Sequence, residues 1–105
     1  MKAHWTDTAV GHLDAIHAYI SQDSPDYALR IVDKLTQRSK QITDFPLSGR
    51  TVPEYELDQI REVMEYPYRI IYYIKPDQID VLAVLHGAQN VLREKQTKQI
   101  NSGDT

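Results

Sequence analysis

The first part of the chain carries apolar residues at helical spacing. One set recurs three and four positions apart: Val10, Leu13, Ile16 and Ile20. This spacing places the four side chains on one face of a helix. Thr6 precedes the run as a favourable N-cap, and Asp7 follows it in the first turn, where a negative charge suits the helix dipole. The pattern predicts a first amphipathic helix.

A second helix is predicted after the polar break SQDSPD at residues 21–26. Ser24 followed by Pro25 is typical of an N-cap with proline at the first helical position. The apolar positions of this helix are Ala28, Ile31, Val32, Leu35 and Ile42. Pro46 disfavours helical conformation at Phe45, so the helix should end there. Two helices joined by a short polar loop form an antiparallel helical hairpin.

Beyond the Ser48-Gly49 turn signal the apolar period changes to two residues. Three strands are predicted, at Ile60–Glu65, Tyr68–Ile74 and Ile79–His86. The segment KPDQ at 75–78 is a tight hairpin turn. Ala3 to Trp5 is a candidate edge strand, and Asn90 to Lys98 a candidate terminal helix. The predicted fold is α+β, in the order β-α-α-β-β-β, with the helical hairpin packed on one face of a small antiparallel sheet.

The hairpin turn predicts a register for the last two strands. One face pairs Ile74 with Ile79, Tyr72 with Val81, and Ile70 with Ala83, and it should pack on the helices. The other face pairs Tyr73 with Asp80, Ile71 with Leu82, and Arg69 with Val84. In this register His86 lies diagonal to Arg69, within reach of a long side chain. The pattern therefore places Arg69, His86, Tyr73 and Asp80 on the face away from the helices and leaves the facing of Arg61 open.

Composition narrows the class of protein. The chain has 105 residues, and we expect a single domain over residues 1–95 followed by a polar, flexible tail at 96–105. There is no cysteine, which excludes disulfides and thiolate metal sites, and the histidines show no metal-ligand spacing. We expect neither a metal nor a cofactor. Apolar runs are too short for a membrane span or a signal peptide, so we expect a cytoplasmic protein.

The net charge of −3 argues against a direct, nonspecific grip on nucleic acid. The cations in the sheet region, Arg50, Arg61, Arg69 and His86, therefore need another explanation. One interpretation is structural, with Arg69 bridging to Glu62 or Glu65 and His86 hydrogen-bonded at a strand end. The other interpretation is that these side chains form the working face of the protein.

Several local segments together resemble the RelE/ParE toxins of bacterial type II toxin-antitoxin modules. They are DSPDYA at 23–28, FPLSGR at 45–50, VPE at 52–54, IREV at 60–63, YRIIY at 68–72 and VLHGAQN at 84–90. The resemblance covers the chain less its tail, and the family fold has the predicted order of elements. The SGR, IRE and HGA pieces are more similar to the ParE-like branch than to RelE.

The resemblance implies a toxin of the ParE-like kind, which inhibits DNA gyrase by protein binding and is associated with growth arrest and plasmid stabilisation. On this hypothesis the protein is not an enzyme. Arg50, Arg61, Arg69, His86 and the segment after His86 are then candidates for target contact.

The alternative is a RelE-like endoribonuclease that cuts mRNA in the ribosome. Ile60 and Glu62 stand where the nuclease pattern has lysines, and Gln89 and Asn90 where it has arginine and tyrosine. Arg69 and His86 remain as a minimal catalytic pair. A third hypothesis is a family member without toxicity that only binds an antitoxin.

The resemblance also implies a partner. Toxins of this family are silenced by a cognate antitoxin whose disordered segment folds along the toxin. We expect the apolar positions of the first helix, Val10, Leu13, Ile16 and Ile20, to receive that segment.

Overall fold

The computed structural model describes residues 1–87 of the chain. Two helices pack on a five-stranded sheet, which confirms the predicted α+β class. The sheet is mixed rather than antiparallel throughout, because its first strand runs parallel to its last, and it has one more strand than predicted. The elements are β1 (Lys2–Trp5), α1 (Asp7–Ser21), α2 (Pro25–Asp44), a 3₁₀ turn (Pro46–Ser48), β2 (Arg50–Thr51), β3 (Ile60–Glu65), β4 (Tyr68–Ile74) and β5 (Gln78–His86). The candidate helix at 90–98 and the tail at 96–105 lie outside the described residues. Within residues 1–87 no helix is long and apolar enough to cross a membrane.

Both helices begin where their capping residues predict. The Thr6 hydroxyl accepts a hydrogen bond from the Ala9 N–H at 3.2 Å, and the Ser24 hydroxyl accepts one from the Tyr27 N–H at 3.2 Å. Each cap satisfies a backbone donor that the first helical turn leaves without a partner. Thr6 also ties the start of α1 to the sheet, because its hydroxyl donates to the Val81 carbonyl at 2.9 Å.

The sheet has the strand order β1-β5-β4-β3-β2. β1 runs parallel to β5, whereas the other neighbours are antiparallel. The sheet is therefore mixed, and β5 lies between the first strand and β4. The helices cover one face and form the main core with it. Its buried members are Ala9, Ile31, Leu35, Ile42, Val63, Ile70, Tyr72, Ile79, Val81 and Val84.

A register shift in the β4–β5 hairpin corrects the predicted pairing. The first three pairs hold as expected: Ile74 with Ile79, Tyr73 with Asp80, and Tyr72 with Val81. The next residue of β4, Ile71, then pairs with Ala83, so β5 carries one extra residue at Leu82. A β-bulge of this kind moves every later side chain of the strand to the opposite face.

The bulge exchanges the faces of the last residues of β5. Ala83 was predicted to face the helices but packs on the opposite side, while Val84 enters the main core. Arg69 pairs with Leu85 rather than Val84. His86 pairs with Tyr68 and so lies on the helix face. The prediction that His86 shares a face with Arg69 is wrong.

The face away from the helices is not an open, solvated surface. It carries a second apolar cluster: Val52, Ile60, Ile71, Ala83 and Leu85, with Tyr55, Tyr73 and Leu82 packed against it. The segment between β2 and β3 supplies Val52 and Tyr55 and thereby covers this side of the sheet. Polar side chains on this face are consequently buried and need partners.

Candidate functional site

Two of the four cations singled out in the sequence, Arg50 and Arg69, converge on one carboxylate. Arg50 Nε and Nη2 lie 3.0 and 2.9 Å from Glu62 Oε2. Arg69 Nε and Nη2 lie 3.2 and 2.5 Å from Glu62 Oε1. Pairing of β2 with β3 brings Arg50 opposite Glu62, and pairing of β3 with β4 brings Arg69 to the same face. Each oxygen of the Glu62 carboxylate thus receives one guanidinium.

The two arginines differ in their access to solvent. The Arg69 side chain is 7% exposed and Arg50 is 70% exposed, while the Glu62 carboxylate between them is fully buried. Glu54, from the covering segment, adds a carboxylate oxygen 3.5 Å from Arg69 Nη2. The structural interpretation of Arg69 as a partner of Glu62 is therefore confirmed. Of the two arginines, Arg50 reaches the surface, and the buried Glu62 carboxylate fixes its guanidinium.

Arg61, whose facing the sequence left open, holds two loop segments together. Its Nε donates to the Asp58 carbonyl at 2.9 Å, and its Nη1 donates to the Gly49 and Leu47 carbonyls at 3.0 and 3.4 Å. The guanidinium therefore links the turn before β2 to the loop before β3. Two of its nitrogens donate to carbonyl oxygens, and the side chain remains half-exposed.

Tyr72 fixes the same turn from inside the core. Its hydroxyl donates to the Pro46 carbonyl at 2.6 Å and accepts from the Gly49 N–H at 3.1 Å. Burial raises the pKa of the Tyr72 phenol, outweighing the lowering effects of the Gly49 hydrogen bond and of nearby Arg61. The phenol is thus a protonated donor at neutral pH, as its hydrogen bond to Pro46 requires.

The helix face contains an open cleft of about 560 Å³ between α1 and the end of the β4–β5 hairpin. It is lined by His12, Ala15, Ile16, Tyr19, Tyr68, Val84, Leu85 and His86. Tyr68 and His86 meet edge to face, with ring centroids 6.0 Å apart. His12 Nδ1 accepts the Val84 N–H at 3.2 Å, so this ring seals part of the exposed edge of β5. Burial raises the pKa of Tyr68, and electrostatic interactions with Tyr27 and Tyr19 raise it further by smaller amounts.

The first-helix residues predicted for antitoxin binding divide into two groups. Leu13, Ile16 and Ile20 are half-buried and pack against the main core. Val10 is 41% exposed. Ile16 is the one of the four that lines the cleft. These side chains therefore do not form a bare apolar stripe, and the surface that α1 offers is the mouth of the cleft.

The structure separates the pair on which the nuclease alternative rests. Arg69 lies on the covered face with Glu62, and His86 lies on the helix face with Tyr68. The two side chains therefore lie on opposite faces of the sheet. Tyr73 and Asp80 share the face of Arg69, as predicted, but Asp80 pairs with Lys75, Oδ2 to Nζ at 2.7 Å. Over residues 1–87 no three histidine or acidic side chains are grouped as a metal site.

Comparisons with known proteins agree with this fold. The family model described as ParE toxin of type II toxin-antitoxin system, parDE, matches residues 3–91. This chain belongs to the ParE toxin family. Two relatives in this superfamily carry toxin names. "Putative toxin Y4kP" of Sinorhizobium fredii is 34% identical over 90 residues, which is 84% of this chain and 90% of that protein. "Toxin RelE2" of Caulobacter vibrioides is 31% identical over 86 residues, which is 81% of this chain and 93% of that protein.

Solved structures match the ParE-family chain over most of its length. A structure of the chromosomal ParDE toxin-antitoxin system from P. aeruginosa superposes with a TM-score of 0.66 at 25% identity, covering 82% of this chain and 95% of that one. The toxin-antitoxin complex RelBE2 from Mycobacterium tuberculosis gives a TM-score of 0.58 at 21% identity, covering 81% and 95%. The second likeness concerns the fold alone.

Sequence reasoning missed three residues that organise the site. From the sequence, Glu62 is a possible partner of Arg69 and a position where the nuclease pattern has lysine, but the sequence does not predict that Glu62 also holds Arg50. Tyr72 was predicted as a core residue, and no sequence signal pointed to its hydroxyl bonds with the turn. Gly49 was read as a turn signal, but its importance is steric. A Cβ at this position would overlap the Tyr72 hydroxyl and lie 2.6 Å from the Glu62 carbonyl oxygen.

Proposed function

We propose that this chain is the toxin of a type II toxin-antitoxin pair, that it inhibits DNA gyrase by protein contact, and that it is not a nuclease. The observation that carries the proposal is the burial of Arg69. Its guanidinium binds Glu62 on the covered face of the sheet, while His86 lies on the opposite face. Cleavage of RNA needs charge stabilisation and proton transfer at a single phosphate. This pair does not offer both there.

Charge supports the same choice. The net charge of this chain is −3. A nuclease that binds the ribosome approaches a dense phosphate surface, and a strongly positive protein surface favours that approach. An acidic protein meets less repulsion from the surface of another protein. The charge therefore favours a protein target over a direct RNA substrate.

Of the residues predicted for target contact, Arg50 is the best placed, because 70% of its side chain is exposed and its guanidinium is already fixed by Glu62. Arg61 and Arg69 act in this proposal by holding Arg50 and its neighbouring turn in position. His86 lies at the mouth of the cleft and remains a candidate contact. The segment after Gly87 lies outside the described residues.

The test is expression without antitoxin, combined with a purified gyrase supercoiling assay. We expect growth arrest, a DNA-damage response, intact mRNA, and loss of supercoiling activity in vitro. Arg50→Ala should raise the concentration needed for half-inhibition, whereas Lys34→Ala, which removes an exposed cation from α2, should not. Cyclic-phosphate mRNA fragments with normal supercoiling would establish the nuclease alternative instead. Absence of any growth defect would favour the non-toxic family member.

We further propose that a cognate antitoxin occupies the cleft beside α1. The cleft is predominantly apolar, it borders the first helix, and its volume suits side chains of an inserted segment. The ParDE and RelBE2 proteins of similar fold come from toxin-antitoxin systems, which supports such a partner here. Of the four apolar positions predicted for this partner, Ile16 contributes directly, because it lines the cleft and Val10, Leu13 and Ile20 do not.

Two exposed alanines of α1 provide a matched test of this site. Ala15 lines the cleft, whereas Ala18 does not. Ala15→Glu introduces a charged side chain at the mouth of the cleft and should weaken antitoxin binding at least about tenfold by calorimetry, since burying an unpaired charge is costly. Ala18→Glu should bind as the unmodified chain does. Equal affinity for both variants would move the antitoxin site elsewhere.

A further inference from the structure

The turn before β2 exposes large apolar side chains that the fold does not use. Phe45 and Leu47 are each 70% exposed, and Leu57, in the loop before β3, is 50% exposed. We call these three residues the turn patch. Exposed apolar side chains clustered on one part of a surface are typical of protein interaction sites. The turn patch belongs to neither the cleft nor the covered face of the sheet.

The backbone beneath the turn patch is held by buried groups. The Tyr72 side chain, itself fully buried, binds both ends of the turn through Pro46 and Gly49. A side chain at Gly49 would meet the Tyr72 hydroxyl and the Glu62 carbonyl oxygen, so it fits only if a neighbour shifts. Such bonds from the core leave the turn little freedom to rearrange, so Phe45 and Leu47 project from a fixed frame.

Arg61 joins the two halves of the turn patch. One nitrogen donates to the Leu47 carbonyl and another to the Asp58 carbonyl, next to Leu57. The guanidinium thus brings the loop before β3 alongside the turn. A surface fixed before binding loses little conformational entropy when a partner docks, which improves affinity without added contacts. Tyr72 and Arg61 are on this view positioning residues for the patch.

The charges beside the turn patch indicate its partner. Asp44 adjoins Phe45, and Glu56 and Asp58 flank Leu57, all three exposed. Against these three acids stands the half-exposed cation Arg61, whose nitrogens donate to backbone carbonyls. An anionic rim of this kind repels a phosphate backbone and favours a surface of opposite charge. We infer that the turn patch is the anchor by which this chain docks on its target, an apolar pocket with a basic rim on a protein. This inference rests on the proposed function, and an enzyme that holds DNA, such as gyrase, offers basic surface of that kind.

The test compares a Phe45→Ser/Leu47→Ser double variant with Leu29→Ser, which removes a leucine of similar exposure, 56%, from α2. Growth arrest, inhibition of purified gyrase, antitoxin affinity and melting temperature are measured for each. We expect the double variant to need at least about tenfold more protein for half-inhibition and to lose growth arrest. Its antitoxin affinity and melting temperature should stay unchanged, and Leu29→Ser should match the unmodified chain throughout.

A second variant guards against a folding defect. Asp44→Lys/Asp58→Lys keeps the apolar side chains and reverses two exposed charges, so it should fold normally and weaken target inhibition through repulsion from the basic rim. A double serine variant that still arrests growth would overturn the inference. If the unmodified chain arrests growth without inhibiting gyrase, the gyrase proposal fails. The turn patch then stands if the double serine variant loses growth arrest and falls if it keeps it.

Discussion

Glu62 offers the sharpest test of how the arginine cluster is held together. Its carboxylate is fully buried and receives Arg50 on one oxygen and Arg69 on the other. In Glu62→Ala the Arg69 guanidinium stays buried and loses its shortest ion pair. Removing one partner of a buried pair costs about 3–5 kcal/mol. Removing Arg50, which is 70% exposed, should cost about 1 kcal/mol or less.

These magnitudes convert into a measurable difference. A loss of about 3 kcal/mol lowers the melting temperature of a domain of this size by about 12 °C or more. Urea unfolding can be followed by fluorescence of Trp5, the single tryptophan, whose indole N–H donates to Ser39 at 3.2 Å. We expect Glu62→Ala to be far less stable than Arg50→Ala. Equal stability of the two variants would refute the inference that Glu62 chiefly compensates the buried Arg69.

A double variant separates charge from packing. Glu62→Leu with Arg69→Met removes both buried charges and keeps apolar volume, and such replacements are often neutral or stabilising. We expect it to recover most of the stability that Glu62→Ala loses. A double variant as unstable as Glu62→Ala would attribute the loss to packing or to the Arg69 contact with Glu54, which Arg69→Met also removes, rather than to an uncompensated Arg69 charge.

Three further predictions concern the turn and the hairpin. Gly49→Ala should lower the free energy of unfolding by about 1–3 kcal/mol, since its Cβ meets Tyr72 and the Glu62 carbonyl; urea unfolding measures this. The Lys75 hydrogen bond lowers the pKa of Asp80 below 3.8, so the Asp80 carboxylate adds to the free energy of unfolding above pH 3.8 and loses this contribution as the pH falls through its pKa in the folded protein. The difference in stability between the unmodified chain and Asp80→Asn should therefore close in acid. Burial raises the pKa of Tyr72 above 10.0, so the protonated phenol contributes fully to the free energy of unfolding below pH 10, and this contribution is lost as the pH rises through its pKa in the folded protein. Tyr72→Phe should not show this loss of stability at alkaline pH.

The sequence predicts the elements whose causes are local. Thr6 and Ser24 cap the helices through bonds to residues three positions away, so the pattern alone suffices. The hairpin at 75–78 likewise predicts its nearest pairs correctly. The ion pair of Arg69 with Glu62 was foreseen as an alternative because both lie in neighbouring predicted strands.

The parts that were missed depend on contacts distant in sequence. Leu82 to Leu85 are all apolar, so alternation there carries no signal for a bulge, and the register beyond it was wrong. β2 is only two residues long and shows no period. Its pairing brings Arg50 to Glu62, a contact that no local pattern reveals. The predicted face of His86 was wrong because of the bulge, since one extra residue in β5 moves every later side chain to the opposite face.

The sheet order has a consequence for synthesis of the chain. β1 is translated first, yet its strand partner is β5, which is translated last among the described elements. While only residues 1–77 have emerged, β1 has no strand to pair with, and the helices lack Ile79, Val81 and Val84 from their core. Folding that awaits such a distant pairing is completed late. A nascent chain that lacks β5 therefore cannot assemble this sheet, and any activity that depends on the fold begins only after β5 has been synthesised.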